Sequence, residues 1–202
     1  FDSYIGFIKK TGFFNNHNPE FKVFLPKSNI FKKIGNKLIK TKTYLYFSST
    51  ISDLENENGY IRFSKNKWIK KKDLKNINYR EKNYKKIIKL FLNTKYLWGG
   101  RSVDGIDCSA LIQIFFKFNM IFFPRDTKDQ VRYCKKKYDK KFEGGDIIFW
   151  KGHVGLCLDK TKFIHAYGPR KKVLIMDIKK TINLIATTAN LKVKKISNIK
   201  NY

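Results

Sequence analysis

Cysteine is scarce in this chain: Cys108, Cys134 and Cys157 are the only three among 202 residues. An odd, small number supplies no disulfide framework. Nor are they spaced for zinc, because Cys-x-x-Cys and His-x-x-x-His are both missing and Cys134 and Cys157 stand in unrelated contexts. No metal site is expected. Gly-x-Gly-x-x-Gly and the phosphate loop are also absent, and Gly99-Gly100 alone serves better as a sharp turn than as an anion cradle. No cofactor is expected. No apolar run is long enough to cross a bilayer as a helix, and no internal repeat is visible.

Acidic residues are scarce as well. Sixteen Asp and Glu face 44 Lys and Arg, for a formal charge of +28. Such a balance suits a polyanionic partner. The lysines are spread along the whole chain, however, and Lys, Asn, Ile, Phe and Tyr are abundant together while Ala, Pro and Arg are few. That pattern is the imprint of an AT-rich coding sequence, whereas a dedicated nucleic-acid arm concentrates its charge. No specific nucleic-acid partner is expected, although the charge favours anionic surfaces, cell-wall polymers and lipid headgroups among them. Hydrophobic residues at 42% and aromatics at 16% supply material for a packed core.

Residues 1–20 lack clear periodicity and read as an N-terminal extension. Residues 21–75 alternate in short stretches, at Phe21–Leu25, Leu38–Phe47, Tyr60–Phe63 and Trp68–Lys70. Turn-like groups such as Gly35-Asn36 and Asn56-Glu57-Asn58-Gly59 separate them, which predicts a small all-β barrel or sandwich. A lysine-rich polar run from Lys70 to Tyr79 reads as a linker. The second domain is placed at residues 80–190. Tyr84, Ile87, Ile88, Phe91 and Leu92 lie at helical spacing within 81–93. Asp107 is placed to cap a helix from Cys108 to Phe118, and Asp126–Tyr133 starts another. Four stretches then read as consecutive antiparallel strands: Asp146–Trp150, Val154–Asp159, Lys162–Tyr167 and Lys172–Ile178. Helices first and strands after make an α+β domain. Residues 191–202 read as a C-terminal tail.

Cys108 carries the most chemical information. A glycine-broken loop leads into it and an apolar helix leads away. That junction exposes a sulfur to unpaired N–H groups and the positive end of the helix dipole, so a lowered thiol pKa is expected. Two histidines follow, each in a strand. His153 follows Lys151-Gly152, and His165 lies on the next strand, where a tight antiparallel pair brings the two imidazoles together. One then serves as base and the other orients it. Taken singly, such a cysteine is more often a small buried hydrophobe and such a histidine merely a satisfied one; the ordered combination is what points to nucleophilic catalysis.

Those residues also resemble a known family. Tyr96-Leu97-Trp98-Gly99-Gly100, Gly105-Ile106-Asp107-Cys108-Ser109-Ala110-Leu111, Pro124-Arg125-Asp126-Thr127 with Gln130, Gly145-Asp146-Ile147-Ile148-Phe149-Trp150, Gly152-His153-Val154-Gly155 and Phe163-Ile164-His165-Ala166 occur in the order seen in NlpC/p60-type papain-like cysteine peptidases. The resemblance spans about residues 82–178. It implies a papain-like catalytic domain that hydrolyses amide bonds in peptidoglycan stem peptides, at the γ-D-glutamyl to diamino-acid bond. Cys108 is the implied nucleophile, His153 the base, His165 its orienting partner and Tyr96 a support for the nucleophile or oxyanion. Asp107, Ser109, Asp126 and Thr127 are the implied holders of a substrate N-terminal amine. Asp107 and Ser109 acting only as helix caps, and Asp126 pairing with Arg125 or a lysine, are the competing uses.

Relatives of this kind carry a bacterial SH3-like domain ahead of the peptidase, and residues 21–75 are similar to it through Gly59-Tyr60-Ile61-Arg62-Phe63 and Lys67-Trp68-Ile69. The resemblance implies a tyrosine and an acidic residue that this domain lends to the amine pocket; Tyr60 is the candidate for the tyrosine, and no residue is assigned to the acid. The expected partner is peptidoglycan or released muropeptides, and the expected state a monomer. No N-terminal signal is visible, and the sequence leaves the compartment unknown: cytoplasmic, for peptide recycling, and periplasmic or cell-envelope locations both stay open. The alternative function is a non-catalytic wall-binding protein that uses its SH3-like part and basic surface.

Overall fold

A computed structural model describes residues 18–139 and 141–202. The extension expected at 1–20 therefore lies outside the described residues up to position 17. The described residues fall into two compact units, one ending at Arg80 and the other beginning at Glu81.

The first unit is all-β. Its strands are β1 (Phe21–Val23), β2 (Lys27–Ile34), β3 (Lys37–Tyr46), β4 (Thr50–Ile51), β5 (Glu55–Glu57), β6 (Tyr60–Ser64), β7 (Lys67–Lys70) and β8 (Leu74–Asn76). The β5–β6 hairpin turns on Asn58 and Gly59, both at positive φ (49° and 78°). A two-residue turn of that kind matches the natural twist of the strands it joins. The strands form two separate sheets, β4-β1-β8 and β3-β2-β7-β6-β5. Of the barrel or sandwich expected from the alternation, no closed barrel forms among the described residues. Register breaks at Asn29/Phe31 and Arg62/Ser64 interrupt the larger ladder, and β1, β4 and β8 are too short to continue it. Val23, Ile51, Ile61, Ile69 and Leu74 make the buried core of this unit.

The second unit opens with α1 (Tyr84–Lys89), shorter than the helix expected over 81–93. After Lys89 the backbone bonds tighten: Leu90 donates to Ile87, Phe91 to Ile88 and Leu92 to Lys89, three residues back rather than four. Asn93 then turns left-handed at φ +65°. The apolar stripe survives, with Ile87, Ile88 and Phe91 fully buried. A small hairpin, β9 (Arg101–Ser102) and β10 (Gly105–Ile106), delivers the chain to α2 (Cys108–Phe118), whose bounds match the sequence expectation. Nine of its eleven residues are buried, so α2 is a core helix. Leu111, Ile112 and Phe116 are each fully removed from water, which contributes on the order of 2 kcal/mol apiece. The short helix α3 (Thr127–Tyr133) follows.

The sheet is antiparallel throughout. Its strands are β11 (Asp146–Trp150), β12 (His153–Cys157), β13 (Lys162–Tyr167), β14 (Lys172–Asp177) and β15 (Lys195–Asn198), in the order β14-β13-β12-β11-β15. Two features were not legible in the sequence. Asp177 caps a further helix, α4 (Ile178–Ala189), by accepting the Lys180 N–H at 3.0 Å, and Ile178 and Ile185 bury against Trp150 and Phe163. Residues 191–202, expected as a tail, supply the edge strand β15 instead. Asn198 Nδ2 donates to buried Asp146 at 2.9 Å, and Asp146 is neutralised by Lys137 at 2.9 Å. Tyr202 stacks on Tyr133.

Candidate active site

The site lies where the N-terminus of α2 meets the start of β12. Two elements fix the nucleophile. On the α2 side, Asp107 caps the helix by accepting the Ala110 N–H at 2.8 Å. On the sheet side, the β11–β12 hairpin pairs Trp150 with His153 across a two-residue turn. Gly152 occupies that turn at φ +75°, a conformation a side chain resists. Cys108 Sγ rests against this hairpin. It lies 3.9 Å from Gly152 O and accepts a hydrogen bond from the Val154 N–H, so it is held to the backbone on either side of His153. Thr127 Oγ1 lies 3.9 Å away on a third side.

The histidines meet as the antiparallel strands suggested. His153 Nε2 is 2.9 Å from His165 Nδ1. The register explains the approach: Leu156 pairs with Ile164 and Cys157 with Phe163, so His153 and His165 lie on one face as diagonal neighbours. Phe163 and Tyr167 hold the His165 ring from either side, at centroid distances of 4.4 and 4.7 Å. Phe163 in turn can lie over β12 only because residue 155 is glycine; a Cβ there would stand 1.9 Å from its ring.

The electrostatics correct one expectation. The Cys108 thiol is pushed up rather than down, first by burial and then by the Asp107 carboxylate. The Val154 and Ser109 N–H groups and the Thr127 hydroxyl oppose this without overcoming it. Cys108 is only 5% exposed, so desolvation of a thiolate outweighs the helix end. Burial also lowers His153 to about 4, and burial with the neighbouring His153 lowers His165 to about 2. Burial thus favours the neutral form of the thiol and of both imidazoles. Tyr96 is raised to about 12, by burial first and then by Cys108 and Asp107, and remains a hydroxyl donor at neutral pH.

A pocket of about 460 Å³ opens onto the sulfur, lined in part by Tyr96, Trp98, Asp126, Thr127 and Lys128. Its two carboxylates differ. Asp107 is bound in a fork by Arg125, with Nη1 to Oδ1 at 3.0 Å and Nη2 to Oδ2 at 2.5 Å, and it also accepts from Ser109 Oγ and the Gly99 N–H. Ser109 Oγ accepts the second Arg125 Nη1 proton at 2.8 Å. Asp107 and Ser109 are thus committed to holding the helix start. Asp126 is exposed to the pocket and its side chain does not cap α3. The sequence offers Arg125 only within Pro124-Arg125-Asp126-Thr127 and as a partner for Asp126; its burial beside Asp107 follows from the tertiary fold and leaves no mark in spacing. Among the described residues no group of three His, Cys, Asp or Glu could hold a metal ion.

Residues 93–190 match the NlpC/P60 family. The chain is 29% identical over 171 residues to a gamma-D-glutamyl-L-lysine dipeptidyl-peptidase of Bacillus subtilis (strain 168), covering 78% of this chain and 56% of that one. It is 38% identical over 82 residues to a probable endopeptidase of Haemophilus influenzae, covering 36% of this chain and 50% of the relative. Among solved structures, an NlpC/P60 family protein from Bacillus cereus ATCC 10987 superposes with a TM-score of 0.66 at 23% identity, over 81% of this chain and 59% of that one. NlpC2 from Trichomonas vaginalis superposes with a TM-score of 0.52 at 20% identity, over 90% and 98% of the two chains. These superpositions establish the fold. The chain spans little more than half the length of the Bacillus relatives.

Proposed function

Because residues 93–190 form an NlpC/P60 family domain, we propose that this protein is a cysteine peptidase that hydrolyses amide bonds in peptidoglycan stem peptides, cutting between γ-D-glutamate and the diamino acid. The observation that carries the reading is the seat of Cys108 Sγ on the backbone flanking His153, whose ring is in turn bonded to His165 at 2.9 Å. The name of the B. subtilis relative, a gamma-D-glutamyl-L-lysine dipeptidyl-peptidase, supports the choice of bond.

The reaction follows from these groups. His153 Nε2 is occupied by His165, so Nδ1 is the nitrogen left to take the Cys108 proton. The sulfur attacks the scissile carbonyl carbon as that proton leaves. The Cys108 N–H, at the first turn of α2, and the Tyr96 hydroxyl stabilise the oxyanion. His153 returns the proton to the departing amine, leaving an acyl-enzyme. Water, deprotonated by His153, then attacks the thioester and regenerates the thiol. A free N-terminal ammonium on the substrate pairs with Asp126, because Arg125 has already neutralised Asp107. Thr127, beside the sulfur, completes that end of the pocket. The N-terminal all-β unit is assigned as the SH3-like partner of the peptidase.

Mass analysis of L-Ala-γ-D-Glu-diamino acid peptides after incubation with the protein tests the reading. The expected products are L-Ala-γ-D-Glu and a fragment with a new diamino-acid terminus. Cys108→Ala is expected to release neither product while melting with the wild type. Cleavage by that variant at the wild-type rate would remove Cys108 as nucleophile. Retention on sacculi by an otherwise inactive wild-type protein would favour the wall-binding alternative.

A further inference from the structure

His165 has a second ring nitrogen, and it faces sulfur. Its Nε2 lies 3.3 Å from Met176 Sδ, while Nδ1 lies 2.9 Å from His153 Nε2. The β13–β14 ladder produces this contact: His165 pairs with Leu174 and Phe163 with Met176, so His165 and Met176 are diagonal neighbours on one face. His165 has no exposed surface, and its ring is wedged between Phe163 and Tyr167. It cannot turn away from Met176 without breaking that packing.

A thioether has lone pairs and no proton, so it can only accept. A buried, neutral imidazole has one N–H and one bare nitrogen. We infer that Met176 is a positioning residue that holds His165 in the tautomer protonated on Nε2 and thereby directs the lone pair of His153 Nδ1 toward Cys108. With the proton on Nε2, His165 Nδ1 is an acceptor. The His153–His165 hydrogen bond must then run from His153 Nε2–H. One proton is thus fixed on each Nε2, and His153 Nδ1 is left bare. The reverse tautomer sets two lone pairs against each other at the Met176 contact. It also turns the inter-histidine bond around and leaves a proton on His153 Nδ1, where it cannot receive another from a thiol. The consequence for catalysis rests on the peptidase reading; the tautomers themselves do not.

The tautomers are read directly from long-range ¹H–¹⁵N spectra of protein labelled in its three histidines. Wild type is expected to show Nε2–H on both His153 and His165. Two replacements remove the acceptor with little change of volume: Met176→Leu, and norleucine at 176 in a Met120→Leu background, which is feasible because the chain has two methionines. Both are expected to mix the tautomers and to lower kcat about three- to tenfold, the scale of one weak hydrogen bond, with KM within about twofold. Selenomethionine, which keeps a chalcogen acceptor, is expected to leave spectra and kcat as in the wild type. A wild-type His165 protonated on Nδ1, or unchanged tautomers in both replacements, would overturn the inference. Expected tautomers in a protein without turnover would uphold the Met176 assignment and defeat the peptidase reading instead.

Discussion

At the scale of single residues, burial sets the electrostatics of the site. Burial is the largest cause of the raised Cys108 thiol and of both depressed imidazoles. In the substrate-free protein, alkylation of Cys108 by iodoacetamide, followed by peptide mapping, is accordingly expected to accelerate past pH 9 without a plateau near neutrality. A plateau below pH 7 would mean a preformed thiolate–imidazolium pair and would reverse the electrostatic picture. The histidines make a second prediction. His153 binds its proton less tightly in the folded state, at about 4 against 6.5. Its contribution to stability is complete above pH 6.5 and is lost as the pH falls toward 4, because the unfolded chain takes up the proton first. The loss amounts to roughly 3 kcal/mol across that window, at about 1.4 kcal/mol per pH unit. Urea unfolding at pH 7.5 and pH 4.5 is expected to show a smaller acid loss in His153→Gln than in the wild type. Equal losses in both would show that His153 titrates normally in the folded protein.

At the scale of elements, the strands β12 and β13 act as a jig for the histidine pair. Gly155 is the narrowest point of that jig: an added Cβ meets three Phe163 ring atoms at 1.9 to 2.8 Å, and Phe163 supports the His165 ring. Gly155→Ala is expected to destabilise the fold by about 1–3 kcal/mol through overpacking and to cut kcat/KM by more than tenfold, both measured on the purified variant. A variant with wild-type melting and activity would show that the sheet yields there at no cost. That the two strands would be neighbours was legible in the sequence, since two strand-like runs with one histidine each are joined by a tight turn; that the rings share a face was fixed by the register, Leu156 opposite Ile164. The bounds of α2 were legible for a similar reason, since Asp107 marks its start and local chemistry settles a cap. The length of α1 was not, because Leu90, Phe91 and Leu92 keep a helical apolar pattern while the backbone tightens toward Asn93. Strand β15 was hidden by its polarity: Lys195, Ser197 and Asn198 read as tail, and only the partners supplied by β11 and Asp146 make them strand. The fork between Arg125 and Asp107 was equally invisible, since it joins residues 18 apart across two elements.

At the scale of the whole molecule, the excess of cations persists however the carboxylates are paired. Glu55, Glu57, Glu81, Asp107, Asp129, Glu143 and Asp146 are paired with Lys or Arg in the described residues. These carboxylates are already counted in the formal charge of +28, so pairing them leaves the net charge unchanged. An even spread of lysines gives no directed binding patch, but it does give a positive field in every direction beyond the contact range of any single side chain. The stem peptides proposed above as substrates bear free carboxylates, so this field should speed their encounter with the pocket while leaving the chemical step alone. Raising salt from about 20 mM to about 300 mM shortens the screening length from roughly 20 Å to under 6 Å. Measured over that range, kcat/KM for an anionic stem peptide is expected to fall about tenfold with kcat unchanged. A peptide amidated at its free carboxylates is expected to show a much flatter response. Equal salt dependence for the two peptides would mean that the basic surface takes no part in capturing substrate and that the lysines reflect coding bias alone.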